Sequence, residues 1–197
     1  MPDGPAPRTL SRREVLRVGV PAALALAAAG RVLLPPTLPR ADAADDPTPA
    51  TVEGPYFKAR SPERRSLREA GTVGTPFLLT GRVLSTKGEA VAKALVDVWQ
   101  ADGDGAYDLA GYRLRGHQFT AEDGAYRLET VVPGYYPGRT RHVHVKVQPP
   151  GGRVLTTQLF FPGDPRNRGD GLYSTWLRMK VWDVAGGKEG SFQFVVS

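Results

Sequence analysis

The sequence predicts an all-β protein, an antiparallel β-sandwich with long loops, on three observations. Short segments rich in β-branched and aromatic residues recur from residue 76 onward. Turn-forming clusters of Gly, Pro and Asp separate these segments, and the chain holds 23 Gly and 18 Pro. No stretch between them shows the 3.6-residue hydrophobic period of an amphipathic helix. Short strands at this spacing, without intervening helices, favour two packed sheets.

Seven segments carry the strand signal, and in the cleanest of them, 141–148, apolar and polar residues alternate. The predicted strands are 76–84, 94–100, 125–132, 141–148, 153–161, 177–182 and 191–196. A short helix is conceivable only over residues 62–69. The chain therefore divides into an N-terminal segment (1–43), a loop-rich N-terminal arm (44–75) and a β-sandwich domain (76–197) that carries most of the candidate site residues.

Composition excludes several classes of protein. A chain of 197 residues suits one compact domain plus an appendage. It has no cysteine, which excludes disulfides, thiolate metal sites and cysteine nucleophiles. Half of the formal net charge of +6 belongs to residues 1–43, where six arginines face three acidic residues. The remainder has no dense basic run interleaved with aromatics, so we expect no nucleic-acid partner.

The N-terminal segment is typical of an export signal. Arg12-Arg13 precedes an apolar stretch over residues 18–30, and Ala41-Asp42-Ala43 has the small residues that a signal peptidase reads. The apolar stretch is shorter than the roughly 20 residues of a membrane span. We expect export by the twin-arginine route to the periplasm or the extracellular space, cleavage after Ala43, and no stable membrane insertion afterwards. The alternative is an uncut membrane anchor.

Candidate metal ligands begin with His142 and His144. Side chains alternate along a strand, so the two imidazoles share one face while Val143 points to the other. Two imidazoles about 6–7 Å apart along a strand can chelate one metal. Such a pair can equally belong to a polar sheet face.

Two tyrosines in distinctive loops extend the candidate set. Tyr107 lies in the Gly-rich segment 103–108, and Tyr136 lies in Pro133-Gly134-Tyr135-Tyr136-Pro137-Gly138. A phenol has a pKa near 10, so it becomes a ligand only beside a strongly charged, hard cation. Ferric iron meets that demand better than zinc or copper. Each tyrosine alone could be an ordinary turn or core aromatic.

Taken together, these segments resemble the intradiol ring-cleavage dioxygenases, the family of protocatechuate 3,4-dioxygenase and catechol 1,2-dioxygenase. The two tyrosine motifs and the histidine motif occur in the family's order. The resemblance extends over most of residues 51–170 and is carried by segments 51–56, 96–107, 133–137, 139–144 and 157–165.

The resemblance implies a concrete activity. Such enzymes bind non-haem iron(III) through two tyrosinates, two histidines and a solvent hydroxide, which here implies Tyr107, Tyr136, His142 and His144 as ligands. A catechol binds as a chelating dianion while the tyrosinate matching Tyr136 leaves the metal. This exchange would give Tyr136 a catalytic role in addition to its role as a ligand. Dioxygen then opens the ring to a cis,cis-muconate-type dicarboxylate without an external reductant. The implied partners are a catechol and O2.

The resemblance also implies three supporting residues. Arg139 matches the family's active-site arginine, and a fixed guanidinium can stabilise charge that develops on the bound ring; the alternative is a surface arginine in a turn. Gln158 is expected to hydrogen-bond behind the ligands, and Tyr56 is expected to line the pocket. His117 has no expected metal role and is assigned to a solvent-exposed strand position. The chain is similar to a compact, exported branch of the family.

Two other interpretations stay open. Segments 81–91 and 120–128 also resemble transthyretin-like and carboxypeptidase-regulatory-like sandwich modules, which bind or space without chemistry. The intradiol fold shares this transthyretin-like plan, so only the four-ligand set discriminates between the two. A zinc or copper site that uses the histidines alone is the third interpretation.

Overall fold

The predicted β-sandwich is confirmed. The structure is a computed structural model that describes residues 46–197 as two four-stranded sheets, with strands and short 3₁₀ helices as its only regular elements. The expected signal segment, 1–43, lies outside the described residues. Within the described part of the chain, no helix has the length and apolarity needed to cross a membrane.

Eight strands build the two sheets. They are β1 (Pro76–Ser85), β2 (Leu95–Trp99), β3 (Arg115–Phe119), β4 (Ala125–Val131), β5 (His142–Gln148), β6 (Leu155–Phe160), β7 (Lys180–Val184) and β8 (Gly187–Val196). Strand β3 was not predicted, because its sequence Arg-Gly-His-Gln-Phe lacks an apolar period. The predicted strand 177–182 was misplaced, since a 3₁₀ helix (Thr175–Leu177) precedes β7.

The strand orders are β4-β1-β8-β7 and β3-β2-β5-β6. Every pair of strands is antiparallel except β1–β8, which is parallel from Phe77↔Lys188 to Ser85↔Val196. Parallel neighbours need a long crossover rather than a hairpin, and here the connecting chain contains all four strands of the other sheet as well as β4 and β7. This pairing also explains why β8 begins at Gly187 rather than at residue 191, because the long partner strand β1 imposes strand structure on residues of low β propensity.

The hydrophobic core lies between the two sheets. Val143, Val145 and Val147 of β5 face it, opposite apolar residues such as Leu79 and Phe194 from the other sheet. Because β5 alternates, His142 and His144 lie on the outer face of the β3-β2-β5-β6 sheet. The core therefore fixes the strand on which the histidine pair sits.

The N-terminal arm, residues 46–75, crosses the sheet edges instead of forming the short helix considered for residues 62–69. The Arg64 amide donates to His117 O at 2.9 Å and the Leu67 amide donates to Glu129 O at 2.8 Å, so the backbone here pairs with β3 and β4. Earlier in the arm, the amide of Thr48 donates to Val195 O and that of Thr51 to Thr156 O, both at 2.9 Å. These contacts direct the arm over the outer face of β5.

Candidate metal centre

The two histidines of β5 converge at their Nε2 atoms, which lie 3.2 Å apart. His142 Nδ1 is 2.7 Å from Thr140 O, and a carbonyl can only accept, so Nδ1 carries the proton and Nε2 presents a lone pair. Burial lowers the pKa of His142 to about 4. Burial is also the main reason that the pKa of His144 lies well below its ordinary value. Both imidazoles are therefore neutral near pH 7, as a metal ligand must be.

His144 is oriented by stacking. Its ring lies 4.8 Å from the ring of Trp99, centroid to centroid, with 8° between the planes. Trp99 stands directly opposite His144 in the β2–β5 register. His144 Nδ1 and Trp99 Nε1 are both buried without a hydrogen-bond partner among the described residues. Stacking on Trp99 thus fixes the orientation of the His144 ring, as the hydrogen bond to Thr140 fixes the orientation of the His142 ring.

The tyrosines lie beside this pair. The ring of Tyr107 is 6.3 Å from that of His144 and 6.1 Å from that of Tyr136, centroid to centroid. Tyr56 stacks on Tyr107 at 4.4 Å, and its hydroxyl lies 3.3 Å from the Tyr136 hydroxyl. The structure therefore brings together the four predicted ligands and Tyr56; their roles as ligands and as a pocket residue stay predictions.

A buried cation lies behind Tyr107. The Arg115 side chain is only 2% exposed as a residue, and its guanidinium donates to Tyr56 O at 2.5 Å and to Asp108 O at 3.0 Å. Among residues 46–197 it makes no ion pair with a carboxylate. Its Cζ lies 6.0 Å from the Tyr107 ring centroid. A buried guanidinium without a carboxylate partner favours a nearby anion, and Tyr107 can supply one as a phenolate.

Arg139 is anchored on the other side of the site. Its Nε donates to Asp170 at 2.8 Å, and its Nη2 donates to Gln158 Oε1 at 2.6 Å. Gln158 in turn donates to Val52 O at 3.0 Å, which ties the arm to the arginine. Arg139 is thus a largely buried, fixed side chain and not a free surface arginine in a turn. Its catalytic role, and the role of Gln158, stay predictions.

The donor set suits a hard cation. Burial raises the pKa of Tyr107, while the positive charges of Arg139 and Arg115 oppose that rise. Such a phenol ionises near neutral pH only when a metal cation binds its oxygen. Two neutral imidazole nitrogens 3.2 Å apart can both bind one ion at about 2.0–2.1 Å. Among the described residues no three His, Asp or Glu side chains form a metal site, and the donors beside the histidines are phenols.

Gly54 lets the arm approach His144. Its φ is +75°, and a Cβ there would lie 3.2 Å from His144 Cε1. We expect Gly54→Ala to cost about 1–2 kcal/mol of folding free energy from the left-handed backbone alone and, in addition, to displace His144 and lower bound iron. Urea denaturation and iron content per chain measure the two effects.

Gly71→Ala is the matched control for this change. Gly71 has φ +78°, and a Cβ at this position would have no neighbouring atom within 4 Å. The Gly71→Ala variant should therefore show the backbone cost with normal iron content. Equal iron content in the two variants would contradict the proposed contact with His144.

The sequence did not point to several residues of this region. Arg115, Asp170 and Gly54 each contact a predicted site residue, yet they lie far from it in sequence, and no local pattern links them. His117 was expected at a solvent-exposed strand position. It does lie on a strand, β3, but it is half-buried instead of exposed, and its Nδ1 is 3.1 Å from Ser61 Oγ.

Comparison with known proteins gives a consistent result. A family model described as Dioxygenase matches residues 52–181, more than half of the chain. Among characterised proteins, hydroxyquinol 1,2-dioxygenase of Rhizobium sp. (strain MTP-10005) is 34% identical over 151 residues, which are 63% of this chain and 51% of that protein. Catechol 1,2-dioxygenase of Pseudomonas sp. (strain EST1001) is 29% identical over 155 residues, 65% of this chain and 51% of that protein. The chain thus spans about half the length of the curated relatives it matches.

Among solved structures, one similar chain is the dioxygenase domain of a dioxygenase carbohydrate-binding protein fusion from the cellulolytic bacterium Streptomyces sp. SirexAA-E. The identity is 53% and the TM-score 0.76, and the match covers 77% of this chain and 99% of that one. Hydroxyquinol 1,2-dioxygenase of Pseudomonas putida DLL-E4 is 29% identical with a TM-score of 0.68, covering 76% of this chain and 66% of that one. With the family model and this shared fold, the chain belongs to the intradiol ring-cleavage dioxygenase family, related to the catechol and hydroxyquinol 1,2-dioxygenases.

Proposed function

We propose that the protein cleaves a catechol-type aromatic diol between its two hydroxylated carbons, using O2 and a non-haem iron(III) centre. The product is a cis,cis-muconate-type dicarboxylate. Both atoms of O2 enter the product while one carbon–carbon bond breaks, so the reaction balances without a reductant. The observation that carries the proposal is the cluster of two neutral imidazoles and two phenols, with Arg115 and Arg139 supplying positive charge beside it.

In this proposal Tyr107, Tyr136, His142 and His144 hold the iron. Bound iron(III) would supply a centre that the diol chelates through its two oxygens and that makes the ring reactive toward O2. Tyr136 accepts a proton from the incoming diol, and Tyr56, whose hydroxyl lies 3.3 Å away, can hydrogen-bond to the resulting phenol. The guanidinium of Arg139 stabilises negative charge on the bound ring.

The visible spectrum tests this proposal directly. We expect the iron-loaded protein to show a broad tyrosinate-to-iron(III) band that shifts when catechol is added without air. Admitting air should then consume one O2 for each catechol and yield a dicarboxylate. A protein that stays colourless after iron loading contradicts the metal centre. A coloured protein that takes up no O2 with any catechol contradicts the enzyme and favours a non-catalytic binding module.

We also propose that the protein is exported through the twin-arginine route and acts in the periplasm or outside the cell. This rests on the Arg12-Arg13 pair, the apolar stretch that follows it and Ala41-Asp42-Ala43. Folded export suits a protein that acquires a metal before it crosses the membrane. The diol would then come from aromatics present outside the cytoplasm.

Replacing both Arg12 and Arg13 by Lys is expected to retain the protein in the cytoplasm with its signal segment uncut, because the route reads the arginine pair. Cell fractionation and the mass of the purified chain measure the effect. Arg8→Lys with Arg17→Lys changes two arginines of the same segment outside the pair and should leave export intact. Equal export of both double variants would contradict the twin-arginine assignment.

A further inference from the structure

The Arg139 side chain is held at two of its three nitrogens. Asp170 accepts from Nε at 2.8 Å and Gln158 accepts from Nη2 at 2.6 Å, whereas Nη1 donates to no acceptor among residues 46–197. A guanidinium presents its donors in a rigid plane. Two fixed nitrogens therefore fix the direction of the third, which is left available for a ligand.

The Asp170 carboxylate is itself immobilised. Its side chain is 2% exposed, and Oδ2 accepts from the amide of Thr140 at 2.9 Å as well as from Arg139. Its Oδ1 accepts from the amide of Leu172 at 2.9 Å. Both oxygens are thus engaged, one of them by the backbone that links Arg139 to the histidine strand.

A second contact fixes the same stretch of backbone. Thr140 Oγ1 donates to Asn167 Oδ1 at 2.7 Å, and Asn167 Nδ2 donates to Phe161 O at 2.9 Å. Asn167 and Asp170 belong to the short 3₁₀ helix (Pro165–Gly169) and the residue that caps it. This turn therefore holds Thr140, two residues before His142, through both its amide and its hydroxyl.

The same turn holds a second arginine in a different way. Asp164, also 2% exposed in its side chain, accepts from Arg141 Nη1 at 3.0 Å. Arg141 stacks over Tyr135, with its Cζ 4.1 Å from the ring centroid. One turn thus carries two buried carboxylates, Asp170 for the arginine beside the histidines and Asp164 for the arginine beside Tyr135.

From this geometry we propose that Asp170 is a positioning residue for ring cleavage, acting through Arg139 by fixing the direction of its free Nη1 donors. The inference rests on the proposed function, which assigns Arg139 to charge on the bound ring. Asp170 makes no hydrogen bond to a predicted ligand among residues 46–197. An effect exerted through Arg139 has to vanish when Arg139 is absent, whereas an effect exerted on His142 through Thr140 would persist.

Asp170→Asn tests the proposal with little change of volume. The amide keeps one acceptor and gains donors, so it cannot satisfy Arg139 Nε together with the Thr140 and Leu172 amides. We expect kcat to fall about 10-fold to 100-fold, as for loss of one charged hydrogen bond, while KM changes far less. Iron content and the tyrosinate band should match the wild type. Asp164→Asn, an equally buried carboxylate of the same turn, should leave kcat close to wild type.

A double-mutant cycle with Arg139→Ala separates positioning from a general structural role. If Asp170 acts through Arg139, Asp170→Asn causes no further loss of kcat in the Arg139→Ala background. A loss by the same factor in both backgrounds overturns the proposal, as does a parallel loss of iron.

The same four proteins, stripped of metal and unfolded in urea, give a measurement that needs no turnover. We expect the shift in the urea midpoint of the double variant to be smaller than the sum of the two single shifts. Additive shifts overturn the pairing on which the positioning depends, whether or not the wild type cleaves catechol. Non-additive shifts in a wild type that cleaves no diol support the pairing and reject the proposed function instead.

Discussion

Tyr107→Phe is expected to weaken iron binding at least about 100-fold, because losing only a group that orients a metal ligand already costs 10-fold to 100-fold, and here a ligand oxygen itself is removed. The ring of Phe can still stack on Tyr56 and occupy the place of Tyr107, 4.4 Å from the Tyr56 ring. The change therefore leaves packing largely intact and removes one phenolate from beside Arg115. Iron content after dialysis against a chelator and the intensity of the visible band measure the effect.

Tyr126→Phe is the matched control for this prediction. Tyr126 is buried and its hydroxyl donates to Phe192 O at 2.9 Å, and both residues belong to the β4-β1-β8-β7 sheet, whereas the histidines belong to the other sheet. That variant should lose stability by about 1 kcal/mol while keeping iron and colour. If Tyr107→Phe retained a normal iron content and band, Tyr107 would not be a ligand and the donor set would have to be reassigned.

Arg139→Ala is expected to keep the iron and the colour but to lower kcat about 100-fold to 1000-fold, the range seen when one preorganised donor to developing charge is removed. The arginine reaches the site from a fixed base, since Asp170 and Gln158 hold two of its nitrogens. Stopped-flow mixing of the catechol-bound protein with O2 separates this loss of rate from any loss of binding.

The control for Arg139→Ala is Arg127→Ala. Arg127 lies on β4 with its side chain 55% exposed, and its one ion pair within residues 46–197 is with Glu129. Surface pairs of this kind contribute little to stability, so turnover should be unchanged. Full turnover in the Arg139→Ala protein would remove this residue from the proposed mechanism. It would also deprive Asp170 of its role.

Local pattern was enough to predict the sandwich, since most of its strands alternate. Residues 141–148 alternate so cleanly that the orientation of Val143, Val145 and Val147 toward the core follows from period alone. Strand β3 was not predicted because Arg115 and Gly116 occupy buried positions where an apolar residue is expected. The parallel pairing of β1 with β8 was not predicted for another reason. Pairing between strands 110 residues apart leaves no local signal in the sequence.

For the candidate site, the resemblance of the motifs to the intradiol family predicted which side chains would meet, and the structure brings Tyr107, Tyr136, His142 and His144 together. The residues that hold these side chains and Arg139 in place could not be predicted in this way. Arg115 gives no hint in sequence that it will be buried beneath Tyr107, and Asp170 follows an ordinary polar turn. Such contacts depend on tertiary geometry, which periodicity and turn chemistry do not encode.

The threading of the N-terminal arm has a kinetic consequence. Tyr56 meets Tyr136, Val52 meets Gln158 and Thr48 meets Val195, which are contacts across 80, 106 and 147 residues. Contacts this distant in sequence form late and make folding slow. During synthesis the arm emerges from the ribosome well before Val195, its partner on β8. The Thr48–Val195 contact can therefore form only after β8 has been made. If the protein binds iron as proposed, the arm that carries Tyr56 reaches its final place beside Tyr136 late in folding, so the metal centre is completed late as well.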